Sequence, residues 1–234
     1  MKKRAMILFC ILCLTLVLLP ASALAGNGIA ESPQAATAYM KIKFKCGCKT
    51  TGSGAMVCED GLVTAGHNLI CVTHNEPASS IEFYFGHKAS NDYWYKYTGQ
   101  FTIHCDCDFS GGYSSEGDIG VVKFPKAFGK NTGWYGSEFG PDSNYEGVKC
   151  LVCGYDANGK IKMFQSELNV MDRSRFTFSY KDLPSGMVGA AVYFLRGAGR
   201  NPALVGVYAS NMKDSDAKIA VRMNREIYDA MNIK

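Results

Sequence analysis

Three places in the chain carry residue types that can move protons or stabilise charge. His67 ends the run Gly61-Leu62-Val63-Thr64-Ala65-Gly66. A buried strand that runs into small residues leaves an imidazole room to reach a shared space, where it can take and return a proton near neutral pH. Asp118 stands in Gly117-Asp118-Ile119-Gly120-Val121-Val122, just before an apolar strand. A carboxylate there is placed for desolvation and can orient a histidine through its ring N–H. The third place runs from Asp182 to Val192, where Gly186 and Gly189 flank a short turn. Glycine reaches backbone conformations closed to other residues, so such a turn can aim its amides and one side chain at a common point. In nucleophilic hydrolases that side chain is a Ser or Cys. Here it is Val188, which has no nucleophilic atom. Ser185 lies before Gly186, too early for amides arranged around residue 188 to serve it.

Each feature alone has a plainer reading: a structural histidine, an aspartate at a strand start, a glycine-flanked hairpin. The elements that must position them are strands. Lys41-Ile42-Lys43-Phe44-Lys45 alternates charged and apolar residues, the period of a half-buried strand. Further strands are expected at Gly54 to Cys58, Gly61 to Ala65, Ile81 to Phe85, Tyr93 to Ile103 and Ile119 to Phe124. A second series covers Val148 to Cys153, Ile161 to Leu168, Arg175 to Tyr180, Ala190 to Leu195, Ala203 to Tyr208 and Ile219 to Val221. Asn158-Gly159 is the favoured two-residue hairpin turn. Only Met223, Ile227 and Met231 recur at helical spacing, which reads as a core-packing stripe. Many short strands with little helix argue for an all-β barrel or sandwich. The polar, glycine-rich break from Pro125 to Gly147 divides them into two groups.

The N-terminus reads as a segment apart. Lys2, Lys3 and Arg4 precede an apolar run from Met6 to Leu19, and Ala23-Leu24-Ala25 follows. That is the pattern of a secretory signal peptide, with cleavage expected after Ala25. The run is shorter than the ~20 residues a spanning helix needs, so no membrane association is expected after cleavage. Residues 26–37 read as a flexible leader or short propeptide. Without the signal, 22 basic residues face 21 acidic ones, which argues against nucleic acid as a partner. Eight cysteines remain: Cys46, Cys48, Cys58, Cys71, Cys105, Cys107, Cys150 and Cys153. An even count in an exported chain reads as disulfides. The doublets Cys46-Gly47-Cys48 and Cys105-Asp106-Cys107 could pair with one another, and Cys150 and Cys153 could pair locally or elsewhere. A rival reading is a structural zinc site with His104 beside Cys105. Export favours the disulfides, and no cofactor or metal is expected.

Taken together and in order, Thr64-Ala65-Gly66-His67, Gly117-Asp118-Ile119-Gly120-Val121-Val122 and Gly186-Met187-Val188-Gly189-Ala190-Ala191-Val192 resemble the His, Asp and Ser motifs of trypsin-like (chymotrypsin-fold) serine proteases. The bacterial secreted branch that includes the glutamyl endopeptidases is the most similar. Gly52-Ser53-Gly54-Ala55 is similar to the strand before the histidine. Leu204-Val205-Gly206-Val207-Tyr208-Ala209 is similar to the strand after the nucleophile, which binds substrate backbone.

The resemblance implies an all-β fold of two packed antiparallel six-stranded barrels with a C-terminal helix. Residues 38–130 would form the first barrel, carrying His67 and Asp118. Residues 131–234 would form the second, carrying the nucleophile turn. The family's serine falls on Val188, and the amides of Gly186 and Val188 would form the oxyanion hole. Asp182 falls at the base of the side-chain pocket, and Tyr208 replaces the histidine of glutamate-specific members. Met187 stands where animal members carry an aspartate that pairs with a newly cut N-terminus. Cys58 and Cys71 bracket His67 much as a family bridge does. The implied protein is a secreted, monomeric endopeptidase acting on a peptide or protein substrate, inactive as written because of Val188. The alternative is a pseudoprotease that binds a peptide or protein in the same cleft without cutting it. A plain disulfide-rich β module is a third, weaker reading.

Overall fold

A computed structural model describes residues 33–86, 93, 95–105, 107–127, 129–181, 183–196, 200–212 and 215–231. The chain is built from two β-sheets with very little helix. The first contains β1 (Thr37–Phe44), β2 (Lys49–Met56), β3 (Gly61–Thr64), β4 (Ile70–Cys71), β5 (Glu76–Phe85), β6 (Tyr95–Tyr97), β7 (Thr102–His104) and β8 (Gly120–Lys123). Its order is β4-β5-β1-β2-β3-β8-β7, with β6 pairing on β5. Among the described residues β6 and β7 do not pair, so this sheet curves as an open half-barrel.

After a one-turn helix α1 (Gly129–Thr132), the second sheet contains β9 (Gly136–Ser137), β10 (Val148–Tyr155), β11 (Ile161–Val170), β12 (Arg175–Ser179), β13 (Ala191–Phe194), β14 (Ala203–Asn211) and β15 (Ala217–Arg222). The order β13-β10-β11-β12-β15-β14 closes on itself through a β13–β14 pairing, a barrel of six antiparallel strands. β9 adds in parallel on β14. β15 is followed by α2 (Arg225–Ala230), whose N-cap Asn224 accepts a hydrogen bond from the Ile227 amide.

The alternation expected in β1 is present: Lys41 and Lys43 are exposed while Ile42 and Phe44 are buried. In β12, Phe176 and Phe178 are fully buried inside the second barrel. Each such side chain stabilises the fold by about 1.5–3 kcal/mol through burial alone. The Met223, Ile227 and Met231 stripe packs into the core beneath the first sheet, with Met56 and Phe124. Lys123 Nζ donates to the Met231 carbonyl at 3.0 Å, so the residue after the last helix is fastened back onto β8.

Two expectations need correction. Residues 33–37, expected to belong to a flexible leader, are packed: Ala35 and Ala36 are buried, and the Met56 amide donates to the Ala36 carbonyl at 2.8 Å. Residues 33–36 form a turn that leads into β1, and the small apolar side chains of Ala35 and Ala36 are buried there. The stretch from Tyr93 to Ile103, expected as one strand, yields β6 and β7 on opposite edges of the sheet. Gly99 lies between them, and glycine in a strand interior marks a bend.

The two sheets are lashed together by buried polar contacts. Tyr39 Oη donates to the Ala157 carbonyl at 3.0 Å. The Tyr155 amide donates to Ser53 Oγ at 2.8 Å. Tyr39, Tyr84 and Tyr155 form a small aromatic cluster at the same junction.

Candidate active site

β3 delivers His67 into a 3-10 turn over Gly66–Asn68. Gly66 is required there by space. A Cβ at this position would lie 2.0 Å from Cys107 Sγ and 3.1 Å from Asp118 Oδ1. The Cys105–Cys107 disulfide therefore packs directly against the histidine turn. On the other side, Cys107 Sγ lies 3.4 Å from the Gly117 carbonyl oxygen.

Asp118 is fully buried two residues before β8. Its Oδ1 accepts from the His67 amide at 2.8 Å. Its Oδ2 lies 2.7 Å from His67 Nδ1. A carboxylate can only accept, so Nδ1–H donates, and in the neutral ring the lone pair then lies on Nε2. Tyr113 Oη also donates to Oδ2, at 2.9 Å. The Tyr113 ring meets the His67 ring edge-on, 5.4 Å between centroids. Burial, then the charge of Asp118, pushes the Tyr113 hydroxyl well above its ordinary range, so it stays a donor. The Asp118 carboxylate thus receives three hydrogen bonds, which offset the cost of burying its charge. Tyr113 was not legible in the sequence, because a tyrosine in a glycine- and serine-rich loop carries no periodic signal.

The turn around Val188 is held by backbone contacts. Gly186 has φ +91°, and a Cβ there would lie 2.4 Å from the Ala157 amide nitrogen. Gly189 has φ +83°, and a Cβ there would lie 2.0 Å from the Ser53 carbonyl oxygen. The Gly189 amide donates to the Tyr208 carbonyl, and the Tyr208 amide to the Ala190 carbonyl, at 2.7 and 2.9 Å. The Val188 carbonyl accepts from the Ser53 amide at 2.7 Å and from Asn68 Nδ2 at 3.1 Å. Asn68 follows His67 directly, so the two turns are joined at this point. The amides of Gly186 and Val188 donate to no acceptor among the described residues. The Val188 side chain is half-buried against the core of the second barrel. Met187 is fully buried in that core, so no charged group sits at this position.

Ser185 is exposed, and its carbonyl accepts from the Ala157 amide at 2.7 Å, which holds it over the β10–β11 turn. Tyr208 is buried and its hydroxyl donates to Asn211 Oδ1 at 2.9 Å. Burial pushes that hydroxyl up to about 12. Asp182, expected at the base of the side-chain pocket, lies outside the described residues. A surface depression of about 830 Å3 is lined by Lys45, Ala78, Phe101 and Phe124 among others and includes none of His67, Asp118 or Val188.

The cysteines differ from expectation. Cys105 pairs with Cys107 within its own doublet. Cys46, Cys48, Cys58, Cys71, Cys150 and Cys153 are free thiols. The two doublets are apart because β3 and β8 lie between β2 and β7 in the sheet. Cys58 Sγ turns to Asp60, 3.4 Å away, and does not reach Cys71. Cys150 and Cys153 are an odd number of residues apart on β10, so they point to opposite faces and are buried in different core clusters. Burial pushes the Cys150 thiol up to about 12 and the Cys153 thiol up to about 11. Cys46, Cys48 and Cys71 gather instead around His74. At Cys71 burial raises the thiol, but hydrogen bonds from His74 and its neighbours outweigh this and bring it down to about 7. His104, the histidine in the zinc reading, is not part of that group, and its neighbour Cys105 is in the disulfide.

No family model matches the sequence, and no curated protein sequence does either. Solved structures do match. A Glu endopeptidase superposes with a TM-score of 0.68 at 18% identity, covering 89% of this chain and 93% of its own. The protease Anisep from Arthrobacter nicotinovorans gives 0.68 at 14% identity, covering 87% and 96%. A scabies mite inactivated protease paralogue gives 0.65 at 16% identity, covering 88% and 98%. The chain therefore has the trypsin-like serine protease fold.

Proposed function

We propose that this chain is an exported protein built on a serine endopeptidase fold, with an intact His67–Asp118 pair and no nucleophile. The observation that carries this is the 2.7 Å contact between His67 Nδ1 and Asp118 Oδ2 beside a turn whose tip is Val188. In such a site a serine would lose its proton to His67 Nε2 as it attacks the peptide carbonyl. His67 would then return the proton to the leaving amine, with Asp118 stabilising the transient imidazolium. The amides of Gly186 and Val188, which donate to no acceptor among the described residues, would hold the oxyanion. Valine removes the attacking atom, and loss of the nucleophile alone costs on the order of a millionfold in turnover. The protein as written therefore does not cut peptides. Export is supported by the basic, apolar and small-residue order of residues 1–25.

A second reading, a pseudoprotease that binds a peptide or protein without cleaving it, is favoured by how Val188 is accommodated. Its side chain packs against the apolar core of the second barrel. One of the similar structures is itself an inactivated protease paralogue. Hydrolysis of a mixed peptide library by the protein and by Val188→Ser separates the two. Turnover gained by the serine variant supports a protease that lacks only its nucleophile. An inert, folded serine variant that still binds peptides supports the pseudoprotease.

A further inference from the structure

We propose that Cys46, Cys48, Cys71 and His74 form a structural zinc site that clamps the histidine turn to the β1–β2 hairpin. The ligand atoms of all four lie within 4.8 Å of one another. His74 Nδ1 lies 3.6 Å from Cys48 Sγ and 3.6 Å from Cys71 Sγ. Zinc bonds of about 2.3 Å to sulfur and about 2.05 Å to nitrogen, at tetrahedral angles, put nitrogen and sulfur about 3.6 Å apart. The spacing on both sides of His74 is thus the edge length of a zinc tetrahedron. Three thiols and one imidazole also make up a recognised structural zinc set.

The backbone presents these ligands from two tight turns. Gly47, φ +89°, separates Cys46 from Cys48, and the Gly47 amide donates to the Phe44 carbonyl at 3.0 Å. The second turn links β4 to β5. Asn75, φ 50°, follows His74, and its amide donates to the Cys71 carbonyl at 2.8 Å. The Lys45 amide donates to the Pro77 carbonyl at 3.0 Å, which holds the turns side by side. Cys71 is buried, so the cluster closes on the protein side while Cys46 and His74 face solvent.

Disulfides account for the group less well. Three thiols cannot pair off among themselves, and no bond joins any two of them, whereas Cys105–Cys107 is bonded. The placement gives the ion a purpose. Cys71 is four residues beyond His67 in the chain. Asn75 reaches across to the loop that leads to Tyr113, donating to Asp108 Oδ1 at 3.0 Å and accepting from the Phe109 amide at 3.1 Å. An ion here would fix the segment that carries His67 to the rest of the first sheet. This inference does not depend on the residue at position 188.

The test is metal content and cobalt substitution on the full chain, purified under reducing conditions without chelator. The expected result is about one zinc per chain. Cobalt(II) exchanged into the site should show thiolate-to-metal charge transfer and the intense visible bands of a tetrahedral ion. The double variant Cys46→Ser, Cys71→Ser should lose both signals, while Cys58→Ser keeps them. The wild-type cobalt spectrum decides the matter even if the double variant fails to fold. Zinc content in the wild type no higher than in the double variant would overturn the proposal. So would a cobalt spectrum without thiolate bands, or a disulfide mapped between any two of Cys46, Cys48 and Cys71 in unreduced protein.

Discussion

The two walls of the candidate site are held by different means. On the first sheet, His67 is placed by side chains: the Asp118 carboxylate, the Tyr113 hydroxyl and the Cys105–Cys107 disulfide under Gly66. On the second barrel, the turn is placed by backbone: positive φ at Gly186 and Gly189, and carbonyls and amides tied to Ser53, Ala157 and Tyr208. Nothing in that second set uses the side chain of residue 188. A valine there costs the fold little, while a change at Asp118 would leave His67 without its partner. The framework around position 188 is thus set without its side chain, whereas His67 depends on side chains around it.

Substitutions on each wall should break this contrast or sharpen it. The largest effect is expected for His67→Ala in a Val188→Ser background. Peptide turnover should fall by on the order of a millionfold, to that of the valine protein. A small loss would mean that His67 is not the base. Asp118→Asn in the same background should lower kcat by about 10⁴, because the histidine takes the wrong tautomer. A change in KM alone would instead make Asp118 a binding residue.

Gly189→Ala tests the backbone wall. The added Cβ would fall 2.0 Å from the Ser53 carbonyl oxygen at a φ of +83°. We expect a loss of about 3 kcal/mol or more in urea unfolding, from strain and forced displacement. A loss under about 1 kcal/mol would show that the turn yields, and that its geometry is not fixed by glycine.

The smallest effect concerns acid stability. Burial raises the Asp172 carboxyl, but hydrogen bonds from Arg175 and Ser174 outweigh it and hold the group down at about 2. Arg175 Nη1 also donates to Ser115 Oγ at 3.1 Å, a link to the loop before Asp118. A folded value below the unfolded one, about 3.9, stabilises the fold above that pH. The contribution is lost as pH falls from about 4 towards 2. Thermal melting of Asp172→Asn should therefore lie slightly below wild type at neutral pH, and the two should converge in acid. A gap that persists at pH 2 would contradict the assignment.

The contrast also explains what could be read from the sequence. His67, Asp118 and the turn were legible because each sits where an apolar strand meets glycines, and that pattern survives in one dimension. The apolar runs Gly61 to Ala65, Ile119 to Phe124 and Ala190 to Leu195 correspond to β3, β8 and β13, the strands next to which they sit. The cysteine arrangement was not legible. Cys46 and Cys48 meet Cys71 and His74 only because β4 and β5 fold against the β1–β2 hairpin, a three-dimensional fact. The spacings Cys-x-Cys and Cys-x-x-His were the one signal available. β4 and β9 span two residues each, too few for a period to register. Tyr113 reaches Asp118 from a loop without pattern.

The central claim is that everything needed for nucleophilic attack is in place except the atom at position 188. The direct test is covalent labelling of Val188→Ser with a fluorophosphonate, read by intact mass. The account predicts about one label per chain on the introduced serine, abolished by His67→Ala, and none on the valine protein. A folded Val188→Ser that takes no label, or a valine protein that does, would contradict it.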